Sequence, residues 1–494
     1  MTDIERLSPA KRELLERALR RRRQDARAHR PGIPRRPEGG PAPLSFSQQR
    51  MWFLAQWEPD APTFNGARAI RLCGRLDRDA LEHGLTTILE RHESLRTVVV
   101  GAEDPRQVVL DSWSFELRVI SPAAPGEQAD IRTLLRELSR QPFDLSRDLM
   151  LRATLIELSD QEHVLLIRMH HIAADAHSDS VLFGELAELY NAKLEGRAPE
   201  LPELAIQYSD FAVWQRDRLR GSRLDDLIAY WTGQLENAPA LLGLPTDRPR
   251  RAVQRHEGAH LELTLPRALV APVVALGRSE GDTFFMTMLA VFSVLLYRIS
   301  GEPDIVLGSP IANRTDIELA PLIGFFTNTI ALRTRLDGNP SFRQVMRRAR
   351  ETALGAYAHQ DLPFEKLVEA LRPKRDPSYN PLFQVNFRAQ ATERPALRLI
   401  GIQAEPIAID IGFSRFDLAL ELELREHELT GYFEYDRDLF DEDTLSALVE
   451  DLAALLAAVG SDPDASILVA KLPNERHSAR QRNAGRSIAR RVSK

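Results

Sequence analysis

The sequence predicts an α/β (α+β) fold in two lobes, preceded by a short N-terminal helix and ribbon. Three observations lead there. The chain has 494 residues, too many for one ordinary core at about 150 residues per domain. Segments with helical and strand periodicity alternate along the body. Between Leu219 and His256 the pattern breaks: Trp214, Tyr230 and Trp231 flank polar helical stretches, residues 245–254 form a loop, and the strand–helix alternation then restarts. The expected division is a basic segment over 1–43, lobes over 44–220 and 221–470, and a basic tail over 471–494.

Residues 7–30 have the pattern of a basic helix, with Ser8 to cap it and Pro9 in its first turn. Its apolar stripe, Leu14, Leu15, Ala18 and Leu19, is too narrow to make a core. Residues 30–43 are rich in Pro and Gly and form a linker or ribbon. In the body, 48–56 and 78–90 are helical, 164–169 is a strand, and 178–192 is a helix. The run 284–297, broken only by Thr287 and Ser293, lies in a core helix over 283–299. A membrane span needs about 20 apolar residues, so a buried helix is expected and no membrane.

Composition narrows the function. The single Cys73 rules out a disulfide framework or a multi-thiolate metal site. With no apolar signal core at the N-terminus, a cytoplasmic protein is expected. Net charge is −6 overall but +7 over residues 1–36 and +6 over 474–494, which leaves a body at −19. An acidic body argues against nucleic acid. The basic ends suit an acidic partner or stand as solvated tails.

Gly277 to Gly281 matches the GxSxG pattern of serine hydrolases. A nucleophile elbow needs a strand before its serine, and here a helical segment precedes Ser279, so that reading is rejected. The more informative segment is MHHIAADAHS, residues 169–178. Leu165, Ile167, Met169 and His171 share one strand face by period two, while His170 lies on the other with Arg168. His171 thus points inward at a strand end, and Asp175 can fix it or the turn. From these residues alone, a satisfied buried histidine beside a helix-capping aspartate is the plainer reading. A metal site is not expected, because adjacent strand histidines face apart.

Seven segments in order carry a resemblance to nonribosomal peptide synthetase condensation domains. They are LSFSQQRMWFL (44–54), RHESLRT (91–97), MHHIAADAHS, YSDFAVWQ (208–215), IGFFTNTIALR (323–333), HQDLPFEKL (359–367) and RDPSYNPLFQVNF (375–387). The third is similar to the HHxxxDG signature, and the resemblance covers about residues 44–465. Both histidines are kept, unlike in heterocyclisation domains, and the later motifs differ from those of epimerisation domains.

The resemblance implies two chloramphenicol-acetyltransferase-like lobes in a V-shaped pseudo-dimer. A tunnel between them would admit phosphopantetheine arms of carrier proteins, with no cofactor bound by the chain itself. A donor acyl or peptidyl thioester would meet an acceptor amine or hydroxyl, carrier-bound or free, at His171, with His170 in support. Asp175 would be structural and paired with Arg91, and Asn328 would stand on the acceptor side. The chain departs from the signature at Ala176, where glycine is usual, and at His177, where a bulky apolar residue is usual. Both become substrate-channel candidates, and the departure at 176 leaves a non-catalytic recruitment platform as the alternative. No adenylation or carrier segment follows, so a free-standing monomeric enzyme, or a piece of a larger one, is expected. Residues 1–43 resemble docking segments that capture an acidic tail of an upstream carrier protein, with Arg35 and Arg36 holding its carboxylates. An unstructured leader is the alternative.

Overall fold

The computed structural model describes residues 32–36, 40–57, 64–121, 131–374, 376–391 and 397–474. The helix expected over 7–30 and the tail beyond 474 lie outside the described residues.

The first half contributes strands β1 (Ala42–Pro43), β2 (Asn65–Cys73), β3 (Thr97–Val100), β4 (Arg106–Val109), β5 (Arg118–Ile120), β6 (Leu151–Ser159) and β7 (Glu162–His170). The second contributes β8 (Gly258–Pro266), β9 (Asp304–Ile311), β10 (Asn328–Arg335), β11 (Val385–Gln390), β12 (Gln403–Ile407), β13 (Leu418–Leu424) and β14 (Glu428–Asp436). They form a small sheet β1-β4-β3, a five-stranded sheet β12-β2-β7-β6-β5 and a six-stranded sheet β10-β9-β11-β13-β14-β8.

Strand β7 is central in the five-stranded sheet and covered on both faces. Leu165, Ile167 and Met169 pack with Leu81, Leu85, Leu182 and Leu186, while Val164 and Leu166 pack with Leu135 and Leu138. That is why its apolar residues run together and do not alternate with polar ones. The helix Arg78–Arg91 begins where the Asp77 carboxylate accepts the Ala80 N–H at 2.8 Å. Its Leu81, Leu85, Ile88 and Leu89 are buried on one face by helical spacing. The helix Ala176–Glu195 lies against it, and a Cβ on Gly84 would stand 2.9 Å from Leu186 Cδ1. Each buried leucine here contributes about 1.5–3 kcal/mol.

In the second lobe, the helix Phe284–Ser300 is capped by Thr283, ends on the left-handed Gly301, and is buried nearly all round. This is the core helix that the apolar run predicts. The helix Glu442–Ser461 is long and apolar enough to cross a membrane by composition alone, but it buries Leu445, Leu448, Leu452 and Leu455 in this lobe's core. Ser279 lies on the last turn of the helix Arg267–Glu280, and Gly281 is its left-handed cap, so no elbow exists there.

The two halves of the sequence are not two closed lobes. Strand β12 pairs antiparallel with β2, from Gln403 opposite Cys73 to Ile407 opposite Ala69. A strand from the second half therefore completes the first lobe's sheet, with Leu397 and Leu399 in its core. Arg136 and Arg140 then hold the carbonyls of Asp410 and Ile411 at 2.9 and 2.8 Å.

The ribbon also differs from expectation. Ile33 is buried with Leu204, Ile206 and Phe326, and β1 pairs with β4. Arg35 donates to the carbonyls of Ala205 and Leu204 at 2.6 and 2.9 Å. Arg36 pairs with Glu93 at 3.1 Å and with Asp210 at 3.7 Å. Arg36 is engaged by the chain's own carboxylates, which corrects the expectation that it holds a partner's; Arg35 bonds only backbone carbonyls and stays exposed. The apolar anchor at Ile33 draws the ribbon onto the body, where those acceptors lie.

Candidate active site

Strand β7 ends at His170, and five residues, 171–175, separate it from the helix Ala176–Glu195. The His171 N–H continues the ladder by donating to the Phe64 carbonyl at 2.8 Å. The turn is held from within and without. His170 Nδ1 accepts the Ile172 N–H at 3.1 Å, and Gln48 of the opening motif donates to the Ile172 carbonyl at 3.3 Å. The His170 ring is buried edge-on between Phe143 and Phe64, at 5.9 and 6.5 Å between ring centres. It is a wedge under the turn, in keeping with a supporting place.

The His171 ring keeps some accessible surface and faces Phe325, 6.2 Å away between ring centres. Its Nδ1 lies 3.2 Å from the Ala174 carbonyl. A carbonyl only accepts, so Nδ1 carries the proton and Nε2 is left as the acceptor. Burial among protein atoms, then the positive charge of Arg415, push its pKa down to about 4, against the opposing pull of the Ala174 carbonyl and Asp175. Burial does the same to His170, to about 3. Both rings are neutral near pH 7.

Asp175 caps the helix and ties it to the other lobe. Its Oδ1 accepts the Ser178 N–H at 3.0 Å, the Ser178 hydroxyl at 2.8 Å and Arg314 Nη2 at 3.0 Å. Its Oδ2 accepts the N–H groups of Phe326 and Thr327 at 3.0 and 3.2 Å. The pair is nearly sealed, with the Arg314 and Asp175 side chains 4% and 1% exposed. The Arg314 guanidinium also stacks on Phe326, 4.2 Å from the ring centre.

The loop over residues 323–327 is pinned to the first lobe residue by residue. His92 Nδ1 accepts the Ile323 N–H at 3.2 Å, and Ser94 donates to the Ile323 carbonyl at 2.7 Å. Ser178 accepts the Gly324 N–H at 3.1 Å, and Tyr208 donates to the Phe325 carbonyl at 2.8 Å. A Cβ on Gly324 would stand 2.2 Å from the Tyr208 ring, so the close approach needs glycine there.

Several expected roles are corrected by this geometry. Arg91 does not meet Asp175; its Nε bonds Glu185 at 2.9 Å, and the guanidinium also reaches the Pro202 carbonyl. Arg314, 139 residues from Asp175, takes the place assigned to Arg91. Asn328 is buried, and its amide group is fully used. It donates to the carbonyls of Gln360 and Leu362 at 2.9 and 2.7 Å and accepts the N–H groups of Phe364 and Thr329 at 3.1 and 2.9 Å. It braces the 359–367 motif inside the second lobe and has no atom left for an acceptor substrate. His177 bonds the Ala320 carbonyl at 3.1 Å, a further tie between lobes. Ala176 is the first residue of the helix and is partly exposed.

Ser178, His92, Tyr208 and Arg314 had no site role in the sequence reading. Ser178 is visible in retrospect as the third residue after a capping aspartate. Arg314 carries no local signal. Among the described residues, no three His, Cys, Asp or Glu side chains gather as metal ligands.

The Condensation domain family model matches residues 39–481, so the chain belongs to that family. It is 44% identical over 432 residues to a linear gramicidin synthase of Brevibacillus parabrevis, covering 86% of this chain and 6% of that protein. It is 42% identical over 470 residues to the phosphinothricin tripeptide synthetase PhsC of Streptomyces viridochromogenes, covering 94% of this chain and 43% of the relative. The chain thus spans less than half the length of these relatives. Among solved structures it resembles the X-domain in complex with OxyB from teicoplanin biosynthesis, with 32% identity and a TM-score of 0.79 over 90% of this chain and 98% of that one. The fold is the mixed α/β, chloramphenicol-acetyltransferase-like fold of condensation domains.

Proposed function

We propose that this chain joins a carrier-bound acyl or peptidyl thioester to an acceptor amine, with His171 positioning the acceptor nitrogen. The observation that carries the reading is the fixed ring. Nδ1 is held by the Ala174 carbonyl at 3.2 Å, so Nε2 stands ready as an acceptor. The acceptor nitrogen donates to Nε2 and directs its lone pair at the thioester carbonyl carbon. The C–N bond forms, the nitrogen gives up a proton, the C–S bond breaks, and the carrier thiol takes a proton as it leaves.

Magnitudes favour positioning over base strength. Holding two reactants in line supplies about 7–11 kcal/mol of the barrier. General-base help is about 10²–10⁴-fold at best and is greatest when the pKa lies near working pH. A histidine at about 4 is a weak base. An amine needs its proton removed only after attack, whereas a hydroxyl needs it earlier. This favours amide over ester formation.

A second reading has one observation behind it: the likeness to an X-domain that is found in complex with OxyB. On this reading the chain recruits a partner and need not turn over. Intact-protein mass spectrometry of an acyl-loaded carrier with amine acceptors separates the two. Mass transfer to the acceptor, lost in His171→Ala, supports condensation; an unchanged carrier with every acceptor supports recruitment.

A further inference from the structure

Arg415 lies where the chain returns from β12 to β13. Its backbone N–H donates to Glu434 of β14 at 3.3 Å, within the second lobe. Its guanidinium carbon sits 5.0 Å from the centre of the Phe64 ring, in the first lobe. Phe64 is the residue whose carbonyl receives the His171 N–H at 2.8 Å. One side chain thus reaches from the second lobe's sheet to the residue that seats His171. The guanidinium lies on an aromatic face, which holds its direction.

We propose that Arg415 is a cation of the reaction site. Its guanidinium, held on Phe64 beside the His171 turn, faces the thioester carbonyl oxygen as charge gathers there. The proposal rests on the reading of His171 given above. As the acceptor nitrogen bonds to the carbonyl carbon, the C=O electron pair moves onto oxygen. When the C–S bond breaks, that pair returns and the sulfur leaves with the C–S pair. A fixed cation beside the oxygen lowers the energy of the intermediate with little reorganisation.

Arg50 and Glu434 also act on the Arg415 guanidinium, with opposite sign. Arg68 pairs with Asp179 at 2.6 Å, Asp175 pairs with Arg314 at 3.0 Å, and His170 is neutral. After burial, Arg415 is the largest influence on His171. Burial lowers Arg415 itself only to about 10, so it stays charged at neutral pH.

Two readouts test this on the full chain: turnover with an acyl-loaded carrier and an amine, and the His171 titration followed by NMR of labelled histidine. Arg415→Gln should cut kcat by about 10²–10³-fold with KM little changed, the loss typical of a missing oxyanion partner. It should also raise the His171 midpoint, because a positive neighbour has been removed. Arg415→Lys keeps the charge and should hold the midpoint near that of wild type, with kcat between the two. Near wild-type kcat in Arg415→Gln overturns the proposal. So does a slow Arg415→Gln whose His171 midpoint has not moved, since that is a structural role only. Should Arg415→Gln not fold, Arg415→Lys decides: a displaced midpoint, or turnover as low as that of His171→Ala, overturns it. If wild type forms no product, the condensation reading fails, and the midpoint shift in Arg415→Gln alone supports or overturns the charge coupling.

Discussion

The same unit of structure occurs once in each lobe, and only one copy carries the candidate chemistry. In the first lobe, the nine-residue β7 leads through residues 171–175 to the 20-residue helix Ala176–Glu195. In the second, the nine-residue β14 leads through residues 437–441 to the 20-residue helix Glu442–Ser461. Each strand sits between two antiparallel neighbours. Each next residue donates to the carbonyl just before the neighbouring strand, His171 to Phe64 and Arg437 to Glu257, both at 2.8 Å. An aspartate precedes each helix, Asp175 and Asp441. By count, His170 matches Asp436 and His171 matches Arg437.

The copies differ in what reaches them from the other lobe. Asp175 is sealed under the 323–327 loop with Arg314. Asp441 makes no side-chain cap bond, and its side chain is 53% exposed beside Arg248. A strand end, a turn and a capped helix are therefore scaffold. The candidate site exists where the second lobe closes over the cap.

Substitutions at matched positions break or sharpen this comparison. The largest difference is expected in activity. His171→Ala should lose about 10²-fold or more in condensation rate, the cost of a misplaced acceptor, while Arg437→Ala, on an exposed side chain, should keep wild-type rate. Equal losses in a carrier assay would make the two turns equivalent and remove the case for the histidine.

Stability should separate the caps next. Asp175→Ala leaves Arg314 buried without its partner and should cost about 3–5 kcal/mol in urea unfolding. Asp441→Ala breaks an exposed pair and should cost at most about 1 kcal/mol. Adding Arg314→Met to Asp175→Ala should recover part of the loss; a double variant as weak as the sum of the two singles would mean that they do not share one pair.

The lobes should also respond to acid with opposite sign. His170 has a folded pKa of about 3 against an ordinary 6.5. Between those values the unfolded chain binds more protons, so stability is full above about 6.5 and falls with falling pH, by up to about 1.4 kcal/mol per pH unit. Asp417 and Asp436 in the second lobe are pushed up by burial. For them the folded state binds more protons above 3.8, so stability falls as pH rises through their folded values. Urea unfolding across pH 4–7 should be less steep in His170→Phe and steeper in Asp436→Asn. An unchanged slope in the histidine variant would show that His170 is protonated in the native protein.

The smallest effect is expected at Ala176→Gly. The position is the first of the helix and partly exposed, so the stability loss should stay below about 1 kcal/mol. Turnover should remain close to wild type. A large drop in kcat would give the methyl group a place in the substrate path.

The strand–turn–helix around the histidines was legible because its signals are local. Period two set the faces of β7, Asp175 marked the helix start, and the helix found at Ala176–Glu195 encloses the expected 178–192. The core helix was legible from its apolar run for the same reason. Residues that act at a distance were not. Arg91 and Arg314 are both arginines in polar segments, and nothing in either neighbourhood says which one meets Asp175. Asn328 has the look of a site residue in sequence because it is polar and lies in a motif, yet its amide is absorbed by the backbone of Gln360, Leu362, Phe364 and Thr329.

By itself, then, the sequence determined the elements and the position of His171 at a strand end, since periodicity, caps and turn residues act within a few residues along the chain. Tertiary structure alone decided that β12 joins the first lobe, that Arg314 seals Asp175 and that Arg36 meets Glu93 and Asp210. Those choices depend on which buried charge or open strand edge finds a partner across the packed halves, and separation along the chain carries no record of that.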